Sequence, residues 1–410
     1  MVHLEHLTQS DYIAMESKYG AHNYHSLPIV LDHGLGVFVY DTDGKKYYDF
    51  LSAYSAVNQG HRHPRIIKAL IDQSQKLTLS SRAFYSNQLG LYSKFMSQYF
   101  NYDKLLPMNT GVEAVETAIK LCRKWAYEKK GIAIDQAKIV VVEGNFHGRT
   151  IAAISASNDP SSYQGYGPLL TGFIRIPYND IEAFKLISNN PNIAGILIEP
   201  IQGEAGVVVP DDAYLKEVYS ICKKNNILFI ADEIQTGISR TGKLLASDHL
   251  EIKPDILILG KALSGGVLPV SAVMANDPIM LCIHPGEHGS TFGGNPLACA
   301  VTMEALSVVK DENLSENAAI GGNYFREMLK SLQSSLPIIS IIRGKGLLNA
   351  IVLDVQDNTA WTLCLQLAKN GLLAKPTHGN IIRLTPPLVI NKEQLEDSVG
   401  IIEKSIRQIA

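Results

Sequence analysis

The chain has 410 residues, of which 46% are hydrophobic and 19% are charged, a composition typical of a globular protein with two or three domains. Its formal net charge of −3 gives no electrostatic argument for binding nucleic acid or an anionic membrane. No stretch approaches the roughly 18 consecutive apolar residues that would predict a membrane span.

The first residues, MVHLEHLTQSDYIAMESKYG, carry acidic side chains and lack the charged-then-apolar pattern of a secretory signal. The five cysteines are dispersed and form no CxxC pair, so the sequence predicts neither a disulfide framework nor a zinc site. We therefore expect a cytoplasmic protein without a bound metal.

The N-terminal part predicts a hairpin and then a helix. Residues 37–40 and 46–50 flank Asp43 and Gly44, a turn pair that favours a β-hairpin. Pro64 has the position that proline favours at the first turn of a helix, and apolar residues follow it at helical spacing.

Short apolar runs then alternate with amphipathic helical patterns through the middle of the chain. Runs this short and this rich in Ile, Leu and Val are typical of strands buried on both faces. The predicted strands of this region are residues 105–108, 138–142, 193–198, 227–230 and 256–259. The alternation predicts an α/β fold with a mostly parallel sheet.

The pattern changes after Pro296. A helix is predicted over residues 297–309, strands over 347–353 and 381–384, and a last helix from the capping-box pair Asn391 and Gln394. We expect residues 50–296 to form a large domain. Residues 297–410 would form a small α+β domain, to which the segment 1–49 contributes.

Two neighbouring predicted strands end at charged residues. Asp232 follows the strand at 227–230, and Lys261 follows the strand at 256–259. Because ligands bind at the carboxyl ends of strands in an open parallel sheet, we expect both side chains to face one crevice. A purely structural ion pair at the sheet edge is the alternative, since buried charges are usually paired.

Two loops have the composition of a phosphate site. In the turn from Asn109 to Glu113 a strand passes into a helix, whose first N–H groups and dipole suit an anion, and Gly111 permits close approach. The loop that contains Ser290 and Thr291 could meet the same phosphate. The alternative for the first loop is an ordinary helix start capped by Thr110.

Three further side chains are candidates for binding a ligand. Phe146 lies among glycines and polar residues after a strand, where it could stack on a flat ring or simply pack. Arg149 would face the same opening and could bind a carboxylate with two hydrogen bonds. Arg383 lies inside a predicted strand, and its partner could be a ligand carboxylate or a structural acid.

Two motif matches fail on their context. Residues 237–243 fit GxxxxGK, the pattern of a phosphate-loop NTPase, but Leu244 replaces the hydroxyl residue that would hold Mg²⁺. Residues 284–288 fit the metalloprotease pattern HxxEH, but Pro285 and Gly286 would break the helix that it requires.

The surviving candidates fit one chemistry. An uncharged lysine can form a Schiff base with an aldehyde cofactor, and an aspartate can keep a pyridine nitrogen protonated so that the ring accepts electrons. A helix N-terminus holds a phosphate, and an aromatic ring stacks on the pyridine. The sequence therefore predicts pyridoxal 5′-phosphate as cofactor.

The sequence resembles the class III, or ω-amino acid, aminotransferases of fold type I along nearly its whole length. The segments that carry the resemblance are YGAHNYH, LSAYSAVNQGH, PMNTGVEA, NFHGRT, EPIQGEAGVVVP, FIADEIQTG, LGKALSGG, PGEHGSTFGGNP, RGKGLLNA and NGLLAKPTHG. The resemblance implies a homodimer with active sites at the subunit interface, a mostly parallel-sheet large domain and a small domain built from both termini.

The resemblance also implies roles for individual residues. Lys261 would anchor the cofactor and shuttle the proton, Asp232 would bind the ring nitrogen, and Gln235 the ring hydroxyl. Cofactor contacts would also come from Gly111, Val112, Phe146 and Ser290, and from Thr291 of the partner subunit. Tyr24 and Tyr54 would line the substrate pocket, and Arg149 would take the distal carboxylate of 2-oxoglutarate or glutamate.

The first two segments point to the branch of the family that acts on L-ornithine, which implies transfer of its δ-amino group to 2-oxoglutarate and a place in arginine and proline metabolism. Glu204 would mask Arg383 when ornithine binds and release it for the α-carboxylate of glutamate. His147 departs from the family pattern, because animal members have Trp there, and we expect it at the mouth of the site.

Three alternatives remain at this point. The chain could be another ω-aminotransferase, acting on acetylornithine, 4-aminobutyrate or lysine. It could bind the cofactor without turnover, although the intact Lys261, Asp232 and both arginines disfavour this. The phosphate-loop NTPase depends on residues 237–243 alone.

Overall fold

The computed structural model describes residues 7–354 and 359–409, so the beginning of the predicted 1–49 segment and a few positions of 297–410 lie outside the described residues. Fifteen strands occur within those ranges. They are β1 Leu31–Leu35, β2 Phe38–Asp41, β3 Lys46–Asp49, β4 Lys104–Met108, β5 Lys138–Val142, β6 Phe173–Ile176, β7 Ile193–Ile198, β8 Leu228–Asp232, β9 Ile256–Leu259, β10 Ser271–Ala275, β11 Ile339–Lys345, β12 Leu348–Leu353, β13 Leu372–Leu373, β14 Lys375–Thr377 and β15 Ile381–Leu384.

Helices and helical turns connect these strands. The described α-helices are α1 Gln9–Tyr19, α2 Ser52–Ser55, α3 Pro64–Ser74, α4 Leu89–Phe100, α5 Gly111–Trp125, α6 Ile151–Ala156, α7 Pro160–Tyr163, α8 Ile181–Ser188, α9 Asp212–Lys224, α10 Asp277–Met280, α11 Pro296–Asp311, α12 Leu314–Ser335, α13 Thr359–Asn370 and α14 Lys392–Arg407. Two 3₁₀ turns, Ser247–Leu250 and Lys261–Ser264, and a π turn, Ala126–Lys130, complete the described set.

The largest sheet has seven strands in the order β4-β10-β9-β8-β7-β5-β6. Only β10 is antiparallel to its neighbours, β4 and β9, and every other pair is parallel. The predicted mostly parallel sheet is therefore confirmed. The carboxyl ends of β7, β8 and β9 lie side by side, and this edge of the sheet carries the candidate site.

Two four-stranded sheets lie outside the parallel sheet. One has the order β11-β12-β15-β14, and the other has the order β1-β2-β3-β13. In the second sheet the N-terminal hairpin β2–β3 pairs in parallel with β13, which lies more than three hundred residues later in the sequence. This pairing is consistent with a small domain built from both ends of the chain, and the boundaries at residues 49 and 296 remain predictions.

Local sequence accounts well for several elements. The strands at 138–142, 193–198, 256–259 and 381–384 occur with the predicted bounds, and α14 begins at the predicted capping box of Asn391 and Gln394. Helix α5 begins with a second capping box, Thr110 with Glu113, and continues through a π turn to Gly131.

Several elements escaped the sequence analysis, and β10 and α12 show two of the physical reasons. Strand β10 is built from SAVMA, whose small side chains give little strand propensity, and it is fixed by antiparallel pairing on both sides. Helix α12 contains Gly322, which lowers helix propensity. A Cβ at Gly322 would lie 1.9 Å from the carbonyl oxygen of Gly346, so the close approach of the turn between β11 and β12 requires glycine there.

Within residues 7–354 and 359–409, no helix has both the length and the apolar character needed to cross a membrane. Helix α1 has no buried residue, and its apolar side chains Tyr12, Ile13 and Met15 are exposed. The N-terminal helix therefore lies on the surface of the single chain rather than in its core.

Candidate active site

Asp232 and Lys261 lie at the carboxyl ends of the adjacent strands β8 and β9, as the sequence predicted. Both line one cavity of about 200 Å³, together with residues from α5, the 146–148 loop and the segment after β8. Among the described residues, no ion pair joins Asp232 to Lys261. The prediction that both side chains face one crevice is confirmed, and the alternative of a direct structural ion pair is wrong for this structure.

Lys261 is held in an unusual backbone conformation. Its φ of 45° lies in the left-handed region, which disfavours residues that have a Cβ and is found mainly where the surrounding structure enforces it. Burial lowers the pKa of Lys261, while the negative charge of Glu204 opposes that shift. The amine therefore loses its proton more readily than an ordinary lysine, as a nucleophile or a proton carrier requires.

Asp232 is held by two hydrogen bonds. The imidazole Nδ1 of His147 donates to Asp232 Oδ2 over 2.7 Å, and the backbone N–H of Ile234 donates to Oδ1 over 3.1 Å. His147 is fully buried, so the expectation that it lies at the mouth of the site is wrong.

The ionisation of His147 is coupled to this contact. Burial opposes protonation, but the hydrogen bond and the charge of Asp232 outweigh burial and raise the pKa of His147. The side chain can therefore carry a positive charge beside the carboxylate of Asp232, although it is buried. The second ring nitrogen, Nε2, is buried and has no hydrogen-bond partner among the described residues.

Glu199 is a site residue to which the sequence analysis gave no role. It follows β7 directly, lines the same cavity, and accepts hydrogen bonds from the backbone N–H groups of Phe146 and Gly203. Burial raises the pKa of Glu199 to about 7, with the nearby His147 opposing the shift. Its position at the end of a buried parallel strand, like that of Asp232, is the signal that could have identified it.

The start of α5 forms one end of the cavity. Gly111 and Val112 line it, and their N–H groups lie between the two capped positions Thr110 and Glu113. The loop that contains Gly148 packs tightly against the start of α5, because a Cβ at Gly148 would lie 2.3 Å from Val112 Cγ2. A helix N-terminus in this setting can bind a phosphate, as predicted.

The loop that contains Ser290 and Thr291 contacts the start of α5 through Ser290. Ser290 Oγ accepts a hydrogen bond from Asn109 Nδ2 over 2.8 Å, which ties its loop to the turn before α5. Thr291 is exposed, and neither residue lines the cavity that contains Lys261. Their cofactor contacts therefore stay predictions, and that of Thr291 requires a second copy of the chain.

Arg383 and Glu204 form the second part of the site. Arg383 Nη1 donates to Glu204 Oε1 over 2.6 Å, and the arginine side chain is only 4% exposed. Burial opposes ionisation of Glu204, but Arg383 outweighs it and lowers the pKa of the carboxyl group. Glu204 thus covers Arg383 in this structure, in the geometry that the sequence analysis expected for the masked state.

The two predicted substrate tyrosines line a neighbouring cavity of about 430 Å³. The ring of Tyr54 lies 5.0 Å from the guanidinium of Arg383, and residues 52–55 are all left-handed, a costly turn that fixes where Tyr54 points. Tyr24 comes from the N-terminal segment. Arg149 is exposed, its guanidinium lies 5.3 Å from the ring centre of Phe146, and it does not line the Lys261 cavity.

The donor set of the smaller cavity fits pyridoxal 5′-phosphate. It combines an amine for the aldehyde, a carboxylate for the ring nitrogen, the aromatic side chain of Phe146 and a helix N-terminus for the phosphate. Gln235 also lines it, so the predicted contact with the ring hydroxyl is sterically available. Within the described residues, no cluster of His, Cys, Asp and Glu has the arrangement of a metal site.

Comparisons with known proteins agree with this geometry. The profile of a family described as Aminotransferase class-III matches residues 19–406. A curated relative, ornithine aminotransferase, mitochondrial, from Drosophila ananassae, is 59% identical over 395 residues, which are 96% of this chain and 90% of the relative.

Two solved structures are similar along their whole length. A structure described as acetylornithine aminotransferase from Elizabethkingia anophelis is 58% identical with a TM-score of 0.90, over 98% of this chain and 100% of that one. The Toxoplasma gondii ornithine aminotransferase, described with partial occupancy of PLP at its active site, has a TM-score of 0.96 and 47% identity, over 98% and 95%.

Proposed function

From the premise that this chain belongs to the class III aminotransferase family, we propose that it transfers the δ-amino group of L-ornithine to 2-oxoglutarate. The products are L-glutamate 5-semialdehyde and L-glutamate, and the two half-reactions follow one another in a ping-pong sequence. The chain is a pyridoxal phosphate-dependent transaminase, in line with the named activity of its curated relative and the PLP reported for the Toxoplasma structure.

The observation that carries the proposal is Glu204 on Arg383, beside the cavity that holds Lys261. The enzyme must accept two donors of different shape, one presenting a terminal amine and one an α-amine next to a carboxylate. With Glu204 in place, Arg383 is neutralised and does not draw the α-carboxylate of ornithine toward Lys261. For glutamate the carboxylate of Glu204 has to move away, so that Arg383 can bind the substrate instead.

Pyridoxal phosphate, when bound, supplies a ring that accepts the electron pair of a carbanion. The pKa of Lys261 is lowered by burial. Its Nζ takes the proton from the substrate carbon that carries the amine and then gives the proton up again, so that it acts as base and acid in turn. Asp232 would hold the ring nitrogen of the cofactor in its protonated form, and the hydrogen bond from His147 fixes the position of the Asp232 carboxylate. Gly111 and Val112 would hold the phosphate, and Phe146 would stack on the ring.

We also propose that two copies form a homodimer. Phe84, Tyr85 and Phe292 are large apolar side chains left exposed on the single chain, and Thr291 directly precedes Phe292 in the sequence. Apolar surface of this kind is typical of an interface. A dimer would bring Thr291 of one copy to the phosphate of the other, which the exposed position of Thr291 permits.

The proposed location is the cytoplasm, with the product feeding arginine and proline metabolism. The Drosophila relative is named mitochondrial, so the location has to be measured. Fractionation of the source cells with an antibody to the protein would decide it, because recovery with a membrane-bounded organelle would contradict the proposal.

The experiment for the proposed reaction compares donors. Purified holoenzyme with 2-oxoglutarate is assayed for kcat/KM with L-ornithine, N-acetylornithine, 4-aminobutyrate and lysine. We expect ornithine to have the highest kcat/KM, with glutamate 5-semialdehyde as product.

A second candidate is N-acetylornithine as donor, favoured by the name of the Elizabethkingia structure at 58% identity. Its δ-amine is the same, but its α-amine is acetylated. A kcat/KM for N-acetylornithine equal to or above that for ornithine would replace the first proposal with the second.

A further inference from the structure

Tyr24, one of the two tyrosines predicted to line the substrate pocket, lies in a stretch of chain that belongs to no helix or strand. Helix α1 ends at Tyr19, β1 begins at Leu31, and Tyr24 itself is 70% exposed on the single chain. Tyr24 nevertheless lines the cavity of about 430 Å³ that also contains Tyr54, whose ring centre lies 5.0 Å from the guanidinium of Arg383. A residue outside regular structure needs contacts elsewhere to hold it in one position.

Packing gives this stretch little support. A second cavity, of about 680 Å³, is lined by α1 and by the same stretch, so that several residues between 24 and 31 have open space on both sides. Leu27 packs against the main hydrophobic core, but residues 21–26 are all exposed. The position of Tyr24 is therefore not fixed by burial.

Hydrogen bonds do not supply the missing support either. Among the described residues, one hydrogen bond joins residues 21–26 to another part of the chain, and it lies between the imidazole of His22 and the carbonyl oxygen of Ser17. This bond leads back to α1, which itself has no buried residue. It does not connect Tyr24 to the core of the protein.

Two ring contacts join the stretch to the C-terminal part of the chain. The imidazole of His25 stacks on the indole of Trp361 in α13, with the ring centres 4.1 Å apart and the planes 11° from parallel. The Nζ of Lys375 in β14 lies 5.7 Å from the ring centre of Tyr24, near the outer limit of about 6 Å for a cation–π contact. The stack of His25 on Trp361 is therefore the closer of the two tethers.

We infer that Trp361 is a positioning residue for substrate binding, because its stack with His25 holds the adjacent Tyr24 at the wall of the 430 Å³ cavity. The inference rests on the proposed function, in which Tyr24 contacts the donor. Trp361 lines neither the 430 Å³ nor the 680 Å³ cavity, so it acts through His25 and not by touching the donor. Without the stack, Tyr24 would have to be ordered again each time a donor binds, and that ordering weakens binding.

The main test measures KM for L-ornithine and kcat separately in the holoenzyme, at saturating 2-oxoglutarate. Trp361→Leu and His25→Leu each remove the stack, and each should raise KM about 2- to 10-fold, the range expected for a stacked aromatic pair. The value of kcat should change by less than about twofold, since the groups at the reacting carbon are untouched. The double variant should raise KM no further than either single variant, because all three lack the same contact. Trp361→Phe keeps a ring in place and should recover most of the wild-type KM.

A second measurement reports on the stretch without using activity. Chymotrypsin cleaves after aromatic residues, and Tyr19 and Tyr24 are both exposed. The rate of cleavage after Tyr24, followed by mass spectrometry of the holoenzyme, should be higher in Trp361→Leu than in the wild type. The reason is that a protease acts on a segment that has been released from its contacts.

His33→Leu is the matched control for both measurements. His33 also lies in the N-terminal part of the chain and stacks on an aromatic ring, that of Tyr40, at 4.4 Å and 8° from parallel. It lines neither the 430 Å³ nor the 680 Å³ cavity. Its loss should change neither KM for ornithine nor the cleavage after Tyr24.

The inference requires a higher KM in both single variants and faster cleavage in Trp361→Leu, and the absence of either effect would overturn it. A KM that rises further in the double variant, with a melting temperature lowered by Trp361→Leu but not by His25→Leu, would mean that Trp361 only stabilises α13. Failure of the proposed function would be seen separately, in a wild-type enzyme that does not prefer ornithine, because cleavage after Tyr24 tests the stack whichever donor is used.

Discussion

The two ends of the active site are built in different ways. The end around Lys261 comes from one sheet: Asp232 is the last residue of β8, Glu199 and Lys261 lie just after β7 and β9, and Gly111 begins the helix after β4. The end around Arg383 is assembled from the N-terminal segment, the left-handed turn at residues 52–55, the loop after β7 and the small sheet. The proposed cofactor ring would thus be bound at one edge of the parallel sheet, and the two different donors would be bound where separate segments of the chain converge.

The polar contacts of the two ends also differ in their exposure to water. Asp232 and His147 are both almost fully buried, so breaking their hydrogen bond would leave an unpaired buried group. Glu204 is 26% exposed, and water can solvate its carboxylate when it leaves Arg383. The first contact is suited to hold one arrangement, and the second to alternate between two.

The largest expected effect is at the rigid end. Lys261→Ala should reduce transamination by about 10⁴-fold or more, since it removes both the covalent anchor and the proton carrier. The variant should also lack the visible absorbance of the wild-type holoenzyme, measured by spectrophotometry after incubation with cofactor. Lys253→Ala, a surface lysine over the ring of Tyr102, is the control and should keep both. A colourless wild type would contradict the proposed chemistry.

The contact between His147 and Asp232 should rank second. His147→Phe leaves Asp232 without its charged partner, and we expect the free energy of unfolding to fall by about 1–3 kcal/mol and cofactor to bind more weakly. Thermal unfolding of the protein without cofactor and equilibrium binding of the cofactor measure the two effects. His147→Gln retains an N–H donor and should recover part of each; equal behaviour of both variants would assign His147 a packing role only.

Glu204→Ala should change selectivity more than rate. With Arg383 uncovered, the α-carboxylate of ornithine is drawn toward it, and reaction at the α-amine should rise relative to the δ-amine by about tenfold, the order of one charged hydrogen bond. Product analysis by mass spectrometry distinguishes the two keto products. An unchanged product ratio would mean that Glu204 does not control which amine of ornithine reacts, and the proposed difference between the two ends would be wrong.

The smallest expected effect is that of acid on the contact between Glu204 and Arg383. Since Arg383 lowers the pKa of Glu204 in the folded protein, their pair stabilises the fold fully above the ordinary value of 4.5 and loses that contribution as the pH falls through the lowered folded-state pKa. The partial exposure of Glu204 limits the loss to about 1 kcal/mol or less. Denaturant unfolding between pH 7 and pH 3 measures it, and Glu204→Gln should show a correspondingly weaker acid dependence than the wild type.

Much of the rigid end could be predicted from sequence because its residues adjoin recognisable elements. Asp232 and Lys261 end two short apolar runs, and the Thr110–Glu113 capping box marks the start of α5 beside the phosphate position. Phe146 follows the same logic, since it lies within a few residues of a strand end, whereas Gln235 was identified through the family resemblance. The exception is His147, for which the sequence shows neither its burial nor its contact with Asp232.

The adaptable end could be predicted only through the family resemblance. No local pattern connects Tyr24, Glu204 and Arg383, which are separated by up to 359 positions in the numbering from 24 to 383 and meet only after both termini have folded together.

The sequence by itself determined the parallel sheet, the family and the residues at its strand ends, because apolar periodicity and capping are local properties of the chain. Only the tertiary structure decided which charges are neighbours: His147 beside Asp232, and Glu204 on Arg383. The physical reason is that electrostatic pairing depends on distances across sheets and loops, which sequence spacing does not specify.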